Sequence, residues 1–406
     1  MSHKRKIKVA VIGLGYIGLP TAALLASEGY EVLGMDVNDH VVNTINRGEI
    51  HIVEPDLDTY VRSAVSTGML KASTEVKPAD VYMLCVPTPF HLGDGTPTPN
   101  IDYVLAAAKS VSKHIKSGDI VILESTSPVG TTALVNDVLA EQGVNVDEIY
   151  IAYCPERVLP GNIMLELVQN DRVIGGINEE STQVVADFYR NFIQGKILKT
   201  EAKTAEMCKL TENSFRDVNI AFANELSMIC ANNGVDVWEL IKLANHHPRV
   251  NILQPGVGVG GHCIAVDPWF IFSSDQKNAK LIKQAREVND SKPNWVVEKI
   301  SQEAKESGKS DPQIACLGLA FKPDIDDLRE SPASMVASSL IALGFRVVCV
   351  EPNIEAHPNF LMTSLGDALN NADIVAVLVG HKEFRSDINK EFLRAAKAMD
   401  FCGALI

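Results

Sequence analysis

Residues 7–36 read I-K-V-A-V-I-G-L-G-Y-I-G-L-P-T-A-A-L-L-A-S-E-G-Y-E-V-L-G-M-D, and the organisation of the chain can be built up from them. A β-branched run is followed by a glycine-rich turn, an apolar helical stretch, a second apolar run and an acid. Gly13 suits the tight turn, Gly15 lets a pyrophosphate approach the backbone, and Gly18 permits close packing of helix against strand. This order predicts a Rossmann-like α/β domain that binds a dinucleotide at the N-terminus of its first helix.

The acid at the end of the second run indicates which dinucleotide is bound. Asp36 is placed to accept hydrogen bonds from the hydroxyls of the adenosine ribose, which favours NAD over NADP. Tyr16 and Ile17 complete the glycine turn and are also expected beside the cofactor. We therefore expect NAD as the cofactor.

Two further apolar runs, Ala79–Pro87 and Asp119–Glu124, predict strands of the same sheet. Thr88 follows the first run and Thr126 the second. Loops after the carboxyl ends of parallel strands line the ligand crevice, so both threonines are candidates for cofactor contact. Capping of the turns is the alternative role for either hydroxyl.

Length and charge limit the classes of function. The 406 residues are too many for one core and suggest two or three domains. A net charge of -14 argues against nucleic acid as the main partner, although a few local cations can bind an anionic small ligand. No apolar run approaches the ~18 residues of a membrane span, and the N-terminus lacks the hydrophobic region of a signal peptide.

The cysteines occur singly, at positions 85, 154, 208, 230, 263, 316, 349 and 402. This pattern predicts reduced thiols rather than disulfides or a zinc site, and with the features above it predicts a cytoplasmic protein. The adjacent pair His246-His247 offers too few ligands for a metal, so no metal site is expected.

One cysteine lies in a distinctive stretch, Gly256 to Phe270 (G-V-G-V-G-G-H-C-I-A-V-D-P-W-F). Its glycines let the backbone approach a bound molecule, and Cys263 follows them with Asp267 four residues later. A thiol on such a loop beside a carboxylate is a candidate nucleophile, because its surroundings set the population of the reactive thiolate. The alternative is a flexible loop whose cysteine is buried without a chemical role.

A long helix is predicted from Thr204 to Asn232, where glycine and proline are absent and helix formers dominate. Lys209, Asn213 and Arg216 fall at i, i+4 and i+7 and form one polar stripe. A solvated helix face would show the same pattern, but this stripe lies only one short helix before the cysteine loop. Such a helix also suits joining two domains and pairing with a second subunit, so we expect a homodimer.

The last part of the chain repeats the pattern of the first. Gln313–Leu319 and Phe345–Pro352 echo the first two strands at similar spacing, and residues 372–375 echo residues 79–81. The first turn here reads G-L-A-F-K-P, so the phosphate-binding glycines are missing, while Lys322 and Arg329 add cations. We expect a second doubly wound domain that binds a different anion, such as a nucleotide diphosphate.

The fold class is therefore α/β, with two Rossmann-like doubly wound domains joined by a long central helix and a helical middle domain. We expect an NAD-binding domain over residues 1–200 and a central helical domain, with the cysteine loop and the dimer contacts, over 201–305. The second Rossmann-like domain is expected over 306–406.

Seven motifs, in order along nearly the whole chain, resemble the UDP-glucose/GDP-mannose 6-dehydrogenase family. They are G-L-G-Y-I-G-L-P, P-T-P, E-S-T-S-P-V-G-T, C-P-E-R-V-L-P-G, K-L-T-E-N-S-F-R-D, G-V-G-G-H-C-I-A-V-D-P and F-K-P-D-I-D-D-L-R-E-S-P. The resemblance implies an NAD-dependent, four-electron oxidation of a sugar alcohol through a cysteine thioester, for the synthesis of surface polysaccharide. It also implies that the last domain binds the UDP-sugar.

The resemblance implies roles for single residues. Cys263 matches the nucleophile, Lys209 the proton donor and acceptor, and Asn213 and Asp267 its catalytic neighbours. Thr126 and Glu156 match positions linked to water activation and hydrolysis. Substrate contacts are implied for Arg157, Val158, Lys209, Asn213, Arg216, His247, Arg249, Gly260, Phe321 and Lys322, and a cofactor contact for Arg329.

Val266 departs from the pattern of UDP-glucose dehydrogenases, which carry a lysine just before the aspartate of the cysteine motif. Together with the motifs H-I-V-E-P-D-L and N-H-H-P-R-V-N, this departure favours the branch of the family that oxidises acetamido sugars. The configuration of the sugar at C2 stays open at this point.

Two other classes of function are compatible with parts of the sequence. An ordinary two-electron hydroxyacid dehydrogenase would share the first domain and the long helix, but it gives Cys263 and Lys322 no role. A non-enzymatic regulator that responds to NAD would bind the cofactor without turnover. Counting NADH per sugar oxidised separates the first class, and an assay for turnover separates the second.

Overall fold

The computed structural model describes residues 7–92, 97–159, 161–261 and 264–406. The chain divides into two compact units. The N-terminal unit consists of Met1–Thr211 and Trp269–Ser274, and the C-terminal unit of Glu212–Pro268 and Asp275–Ile406.

The N-terminal unit contains one large sheet and a separate two-stranded hairpin. Its strands are β1 (Lys8–Ile12), β2 (Glu31–Met35), β3 (Leu70–Ser73), β4 (Val81–Leu84), β5 (Phe90–Leu92), β6 (Pro97–Pro99), β7 (Ile120–Leu123), β8 (Tyr150–Tyr153), β9 (Arg172–Gly176) and β10 (Ile197–Glu201). The helices between them are α1 (Gly18–Ser27), α2 (Asp39–Asn46), α3 (Leu57–Ser66), α4 (Asp102–Ser112), α5 (Thr131–Glu141), α6 (Ile163–Gln169) and α7 (Glu179–Tyr189).

Eight of these strands form the sheet in the order β10-β9-β8-β7-β4-β1-β2-β3, and β5 pairs with β6 as a separate hairpin. All neighbours from β3 across to β8 are parallel, whereas β9 is antiparallel to β8. In β1, Val9 and Val11 belong to one hydrophobic core and Ala10 and Ile12 to another, so the strand is apolar on both faces. The strand order reverses at β1, and in such sheets the ligand crevice lies outside the carboxyl ends of the strands at this point.

The strands end earlier than the apolar runs of the sequence. The run Ala79–Pro87 gives only β4, which stops at Leu84. The amide of Cys85 makes one more hydrogen bond, to the carbonyl oxygen of Ile12 at 2.8 Å. The residues that follow leave the sheet.

Helix α8 (Ala202–Asn233) confirms the predicted long helix and, with 32 residues, is ~48 Å long. Gly234 follows it with a φ of 66°, and the amide of Val235 donates to the carbonyl oxygen of Cys230 at 2.9 Å. This ending is typical of helices that stop at a glycine. Three helices follow along the chain, α9 (Val237–Ala244), α10 (Asp267–Ser274) and α11 (Lys280–Glu306). Within the described ranges, no helix is both long and apolar enough to cross a membrane.

The C-terminal unit contains a second, smaller sheet. Its strands are β11 (Gln313–Leu317), β12 (Arg346–Val350), β13 (Ile374–Val377) and β14 (Met399–Asp400), and its helices are α12 (Pro332–Ala342), α13 (Leu365–Asn371) and α14 (Asp387–Ala395). The strand order is β12-β11-β13-β14, with all neighbours parallel. Strands β12, β11 and β13 repeat the arrangement of β2, β1 and β4, which confirms the predicted second Rossmann-like domain.

Candidate active site

The glycine turn between β1 and α1 fits a dinucleotide. Gly13 has a φ of 93°, and a Cβ at this position would lie 2.6 Å from the carbonyl oxygen of Cys85. A Cβ on Gly18 would lie 1.8 Å from the carbonyl oxygen of Gly13, so this glycine is needed for close packing. A Cβ on Gly15 would meet no atom within 4 Å, which leaves open space where a pyrophosphate is expected to approach.

Asp36 follows β2 and is held beside this turn. One of its carboxylate oxygens accepts the amide of Leu14 at 3.0 Å, and the other accepts the amide of Asn38 at 2.9 Å. The side chain is half-buried. A carboxylate fixed in this way can accept hydrogen bonds from ribose hydroxyls, and it repels the 2′-phosphate of NADP.

We expect Asp36→Ala to narrow the preference for NAD over NADP. The unmodified protein should use NADP at least about tenfold less efficiently, because two unit charges at 4 Å repel by about 1 kcal/mol even in water and by more at a protein surface. The measurement is kcat/KM for each cofactor. Asp39→Ala, which removes an exposed acid from α2, is the matched control. Equal use of both cofactors by the unmodified protein would contradict the assignment.

The loop that carries Thr126 is tied to the start of α8. Glu206 lies on this helix, is fully buried, and accepts the amides of Gly130 at 2.6 Å and Thr132 at 2.7 Å. It therefore caps α5 and fixes the end of the E-S-T-S-P-V-G-T motif. Lys209 lies three residues after Glu206 on the same helix and is half-buried. The hydrogen bonds of Glu206 thus join the E-S-T-S-P-V-G-T motif to α8, the helix that carries Lys209, the predicted proton donor and acceptor.

Glu156 takes part in a buried ion pair. One of its oxygens lies 2.5 Å from a guanidinium nitrogen of Arg172, and the other accepts the amide of Arg157 at 2.6 Å. Only 5% of Glu156 and 1% of Arg172 are exposed. Both carboxylate oxygens are engaged by protein donors, so a part for Glu156 in hydrolysis stays a prediction.

A second buried carboxylate, Glu124, stands next to this pair at the end of β7. It accepts the hydroxyl of Tyr189 at 2.6 Å and the thiol of Cys85 at 3.2 Å. Burial, reinforced by the charge of Glu156, raises the pKa of the Glu124 carboxyl to about 7, and Arg172 offsets only part of this effect. One cation thus serves two buried carboxylates.

We expect Glu124→Gln to reduce the pH dependence of stability. An acid whose pKa is higher in the folded protein than in the unfolded chain binds its proton more tightly when folded. As pH rises from 4.5 to about 7, burying Glu124 therefore lowers the free energy of unfolding of the wild type. Glutamine can still accept the Tyr189 hydroxyl but does not titrate.

Chemical denaturation at pH 5 and pH 8 measures this effect. Relative to the wild type, the Glu124→Gln variant should gain stability at the higher pH, whereas Glu141→Gln on the exposed end of α5 should not. An unchanged difference between wild type and variant at the two pH values would contradict a raised pKa.

The described cysteines include several that are poorly suited to act as nucleophiles. Burial raises the pKa of the thiols of Cys85, Cys154, Cys316, Cys349 and Cys402. Thiols with raised pKa values stay protonated near neutral pH and are unreactive. The predicted nucleophile, Cys263, lies outside the described residues.

A hydrogen bond between Asn213 and Asp267 joins two motifs. Asn213 belongs to K-L-T-E-N-S-F-R-D on α8, here called the helix motif, and Asp267 belongs to G-V-G-G-H-C-I-A-V-D-P, here called the cysteine motif. The amide nitrogen of Asn213 lies 2.5 Å from a carboxylate oxygen of Asp267. Asp267 begins α10 and is 2% exposed. Two residues that are 54 positions apart in the sequence, each predicted to be a catalytic neighbour, are therefore brought into contact.

The glycine loop before Cys263 is held on two sides. The amide of Gly256 donates to the side-chain oxygen of Asn224 at 2.9 Å, and the amide group of Asn224 donates to Asn289 at 2.9 Å. A Cβ on Gly260 would lie 2.4 Å from the carbonyl oxygen of Glu330 and 2.9 Å from the Cβ of Phe321. Only glycine fits this position, which lies against Phe321. The contacts of Gly260 and Phe321 with the substrate stay predictions.

The first turn of the second Rossmann-like domain is closed by an acid. Glu351 stands where Asp36 stands in the first domain, and its carboxylate accepts the amides of Leu319 at 2.7 Å and Ala320 at 3.1 Å. Glutamate is one methylene longer than aspartate, so it reaches both amides. The backbone donors that would approach a pyrophosphate are thus already satisfied by the protein.

The remaining predicted residues differ in their surroundings. Lys322 is half-buried directly after Phe321, and Arg329 forms an ion pair with Asp327 at 2.6 Å. Arg216 is exposed on α8, and His247 and Arg249 lie in an exposed loop after α9. Half-buried positions are occupied by Tyr16, Ile17, Thr88, Arg157 and Val158. The contacts of these residues with cofactor or substrate stay predictions.

Glu54, in the H-I-V-E-P-D-L motif, has a role that sequence reasoning did not identify. It is 4% exposed and accepts the amides of Gly161 at 2.8 Å and Ile163 at 2.7 Å. It therefore caps α6 and holds the chain that follows Arg157 and Val158. The sequence signal for this role was the acid itself, which stands in a motif that we used only to compare families.

Nearly the whole chain is similar to one family of dehydrogenases. Residues 7–193 match the NAD binding domain of the UDP-glucose/GDP-mannose dehydrogenase family, 203–291 its central domain and 315–405 its UDP binding domain. A UDP-N-acetyl-D-mannosamine dehydrogenase of Campylobacter jejuni is 53% identical over 412 aligned positions, covering 97% of this chain and 99% of the relative.

Two further comparisons agree on the family. An NDP-N-acetyl-D-galactosaminuronic acid dehydrogenase of Ralstonia nicotianae is also 53% identical, covering 93% of this chain and 91% of the relative. The solved structure of a UDP-D-ManNAc dehydrogenase from Pyrococcus horikoshii matches with a TM-score of 0.90 at 38% identity, covering 98% of this chain and 96% of the other.

Proposed function

This chain belongs to the UDP-glucose/GDP-mannose dehydrogenase family of NAD-dependent enzymes, and we propose that it oxidises the C6 alcohol of UDP-N-acetyl-D-mannosamine to the carboxylate. The product is UDP-N-acetyl-D-mannosaminuronate. The observation that carries the proposed chemistry is the hydrogen bond between Asn213 and Asp267, because it joins the helix motif to the cysteine motif.

The reaction converts one alcohol, two NAD⁺ and one water into one carboxylate, two NADH and three protons. When bound, NAD accepts a hydride in each of the two oxidations. The thiolate of Cys263 adds to the carbonyl carbon of the aldehyde formed first, and the alkoxide takes up a proton to give a thiohemiacetal. Loss of a hydride and a proton turns this adduct into a thioester, and water then releases the carboxylate and restores the thiol.

Lys209, Asn213 and Asp267 have proposed roles in these steps. Lys209 takes the proton of the alcohol and, as an ammonium, stabilises the oxyanions that form at the same carbon. Asn213 is four residues further along α8, on the same side of the helix, and adds a neutral donor. Asp267 fixes the amide of Asn213 in one orientation.

The proposed sugar is supported by the names of the relatives and by Val266. This side chain is 5% exposed, so a lysine in its place, as in UDP-glucose dehydrogenases, would bury a charge. UDP-N-acetylglucosamine is the first alternative for the substrate, and UDP-glucose is a less favoured alternative. The Ralstonia relative, equally similar, is named for an NDP-linked N-acetyl-D-galactosaminuronic acid, so we add UDP-N-acetylgalactosamine to the sugars to be tested.

Initial rates with the four UDP-sugars test the proposed substrate. We expect the highest kcat/KM with UDP-N-acetyl-D-mannosamine. The kcat/KM for the other three sugars should be about 10- to 200-fold lower, because each of them misplaces a contact in the sugar pocket. A higher kcat/KM with UDP-N-acetylglucosamine or UDP-N-acetylgalactosamine would move the assignment to that sugar. Absence of turnover with every UDP-sugar would overturn the proposed function.

We propose that the protein is a homodimer through α8. Phe215, Phe222 and Ile229 recur every seven residues on this helix, and they are 67%, 52% and 49% exposed. Exposed apolar side chains at this spacing form a stripe that a second copy of the same helix can cover. Sedimentation equilibrium should give twice the mass of one chain, and the mass of a single chain would contradict the dimer.

The proposed location is the cytoplasm, where free thiols such as those of the seven described cysteines stay reduced. Recovery of the protein with the membrane fraction after cell lysis would argue against this location.

A further inference from the structure

His381 is a fully buried histidine that the proposed chemistry does not use. Its Nδ1 accepts the backbone amide of Asp324 at 2.9 Å, and its Nε2 lies 3.1 Å from a carboxylate oxygen of Glu351. A backbone N–H can only donate, so Nδ1 carries no proton and Nε2–H donates to Glu351. These two contacts fix the ring in one tautomer and one orientation.

Other groups facing the ring are consistent with this arrangement. The amide nitrogen of Asn353 lies 3.3 Å from Nδ1, and a carboxylate oxygen of Asp324 lies 3.9 Å from it. The ring of Phe384 packs edge-on against the imidazole at 5.6 Å between centroids. A carboxylate oxygen of Glu383 also lies within 4.8 Å of a ring nitrogen, so the imidazole is surrounded by polar groups and by the ring of Phe384.

The Glu351–His381 pair holds both ends of residues 319–324, here called the Phe-Lys segment. Glu351 accepts the amides of Leu319 and Ala320 at the first end, and His381 accepts the amide of Asp324 at the other. Phe321 and Lys322, two predicted substrate contacts, lie between these anchors.

The second anchor stabilises an uncommon backbone conformation. Asp324 has a φ of 63°, in the left-handed region that residues with side chains rarely adopt. Its carboxylate accepts the amide of Lys382, the residue after His381, at 2.8 Å. Such conformations persist only where the surrounding structure fixes them, and here residues 381 and 382 supply that fixation.

We propose that His381 is a positioning residue for nucleotide-sugar binding, which acts by holding the Phe-Lys segment in the conformation that presents Phe321 and Lys322. The inference rests on the proposed function for the identity of the ligand. It assigns a role to a residue outside the seven motifs, and it predicts that binding of UDP depends on the Nδ1 acceptor.

Two substitutions separate the contacts of the ring. His381→Asn keeps an acceptor oxygen near the position of Nδ1, whereas His381→Gln keeps a donor near Nε2 and loses that acceptor. We expect His381→Gln to raise the Kd for UDP and the KM for the nucleotide sugar about tenfold, because the amide of Asp324 loses its hydrogen-bond partner and the Phe-Lys segment loses one of its two anchors. The KM for NAD should change less than about twofold, and His381→Asn should stay within about threefold of the wild type in every constant.

His357→Gln is the matched control, since its Nδ1 also accepts a backbone amide, that of Asn359, which lies outside the Phe-Lys segment. This variant should leave all constants unchanged. Equal effects of asparagine and glutamine at position 381, or an equal rise in the KM for NAD, would overturn the proposal. Calorimetric titration with UDP measures the Kd without turnover, so a wild type that binds UDP but oxidises no UDP-sugar would contradict the proposed function and leave this inference intact.

The tautomer gives a test that needs no variant. Nitrogen-15 shifts of the wild type, labelled at histidine, should show that Nδ1 of His381 is an unprotonated acceptor and that Nε2 carries the proton. A proton on Nδ1 would overturn the arrangement even if the variants fail to fold.

Discussion

Cys263→Ser should lower the rate of carboxylate release by on the order of a thousandfold or more, the scale seen when a covalent nucleophile is removed. Serine is a far weaker nucleophile than a thiolate at neutral pH, and an ester of serine would be hydrolysed less readily than a thioester. Binding of NAD should be unchanged, because the glycine turn and Asp36, which are expected to bind NAD, belong to the N-terminal unit. Cys263 is not among the residues expected to bind NAD. The measurement is uronate formed at saturating substrate, with the Kd for NAD determined in parallel.

A matched control for this variant is Cys402→Ser, which alters a half-buried thiol of the second Rossmann-like domain. Its rate should stay within about twofold of the wild type, because the pKa of that thiol is raised and it stays protonated. Release of the uronate by the Cys263→Ser variant at close to the wild-type rate would remove Cys263 from the mechanism.

Lys322→Ala and Arg249→Ala should each raise the KM for the nucleotide sugar about 10- to 100-fold, because a hydrogen bond to a charged group contributes about 1.5–3 kcal/mol. Both residues are predicted contacts of the UDP-sugar, and neither belongs to the glycine turn that is expected to bind NAD. The KM for NAD should therefore change little. Steady-state kinetics with each substrate varied in turn measure the two constants.

UDP inhibition gives an independent reading of the same assignment. UDP should compete with the nucleotide sugar in the wild type, and its inhibition constant should rise in both variants. Lys305→Ala, at the exposed end of α11, should change neither constant. Variants that weaken NAD binding and leave UDP inhibition unchanged would place Lys322 and Arg249 elsewhere than at the UDP-sugar.

The sequence was informative wherever a periodic or ordered pattern exists. The order of strand, glycine turn, helix, strand and acid predicted the first Rossmann-like domain, and the run from Val9 to Ile12 is apolar at every position because β1 is buried on both faces. The absence of glycine and proline predicted α8 to within two residues at each end. The resemblance implied that Asn213 and Asp267 are both catalytic neighbours of Lys209, and the structure brings these two side chains into contact.

Contacts made by single polar residues over long separations could not be predicted in this way. Glu206 reaches amides more than 70 positions away, and His381 reaches one 57 positions away. Each bonds to backbone amides, which every residue but proline possesses, so no residue type marks the partner in the sequence. Glu351 is a partial exception. It directly follows β12, at the position that corresponds to Asp36, so the internal repeat of the sequence could have suggested its role.

The number of NADH molecules formed per UDP-sugar consumed tests the central claim, a four-electron oxidation through a thioester on Cys263. With limiting UDP-N-acetyl-D-mannosamine and excess NAD, the absorbance of NADH at completion should correspond to two NADH per sugar, with one uronate formed per sugar. One NADH per sugar, with an aldehyde as the product, would contradict the claim and identify an ordinary two-electron dehydrogenase.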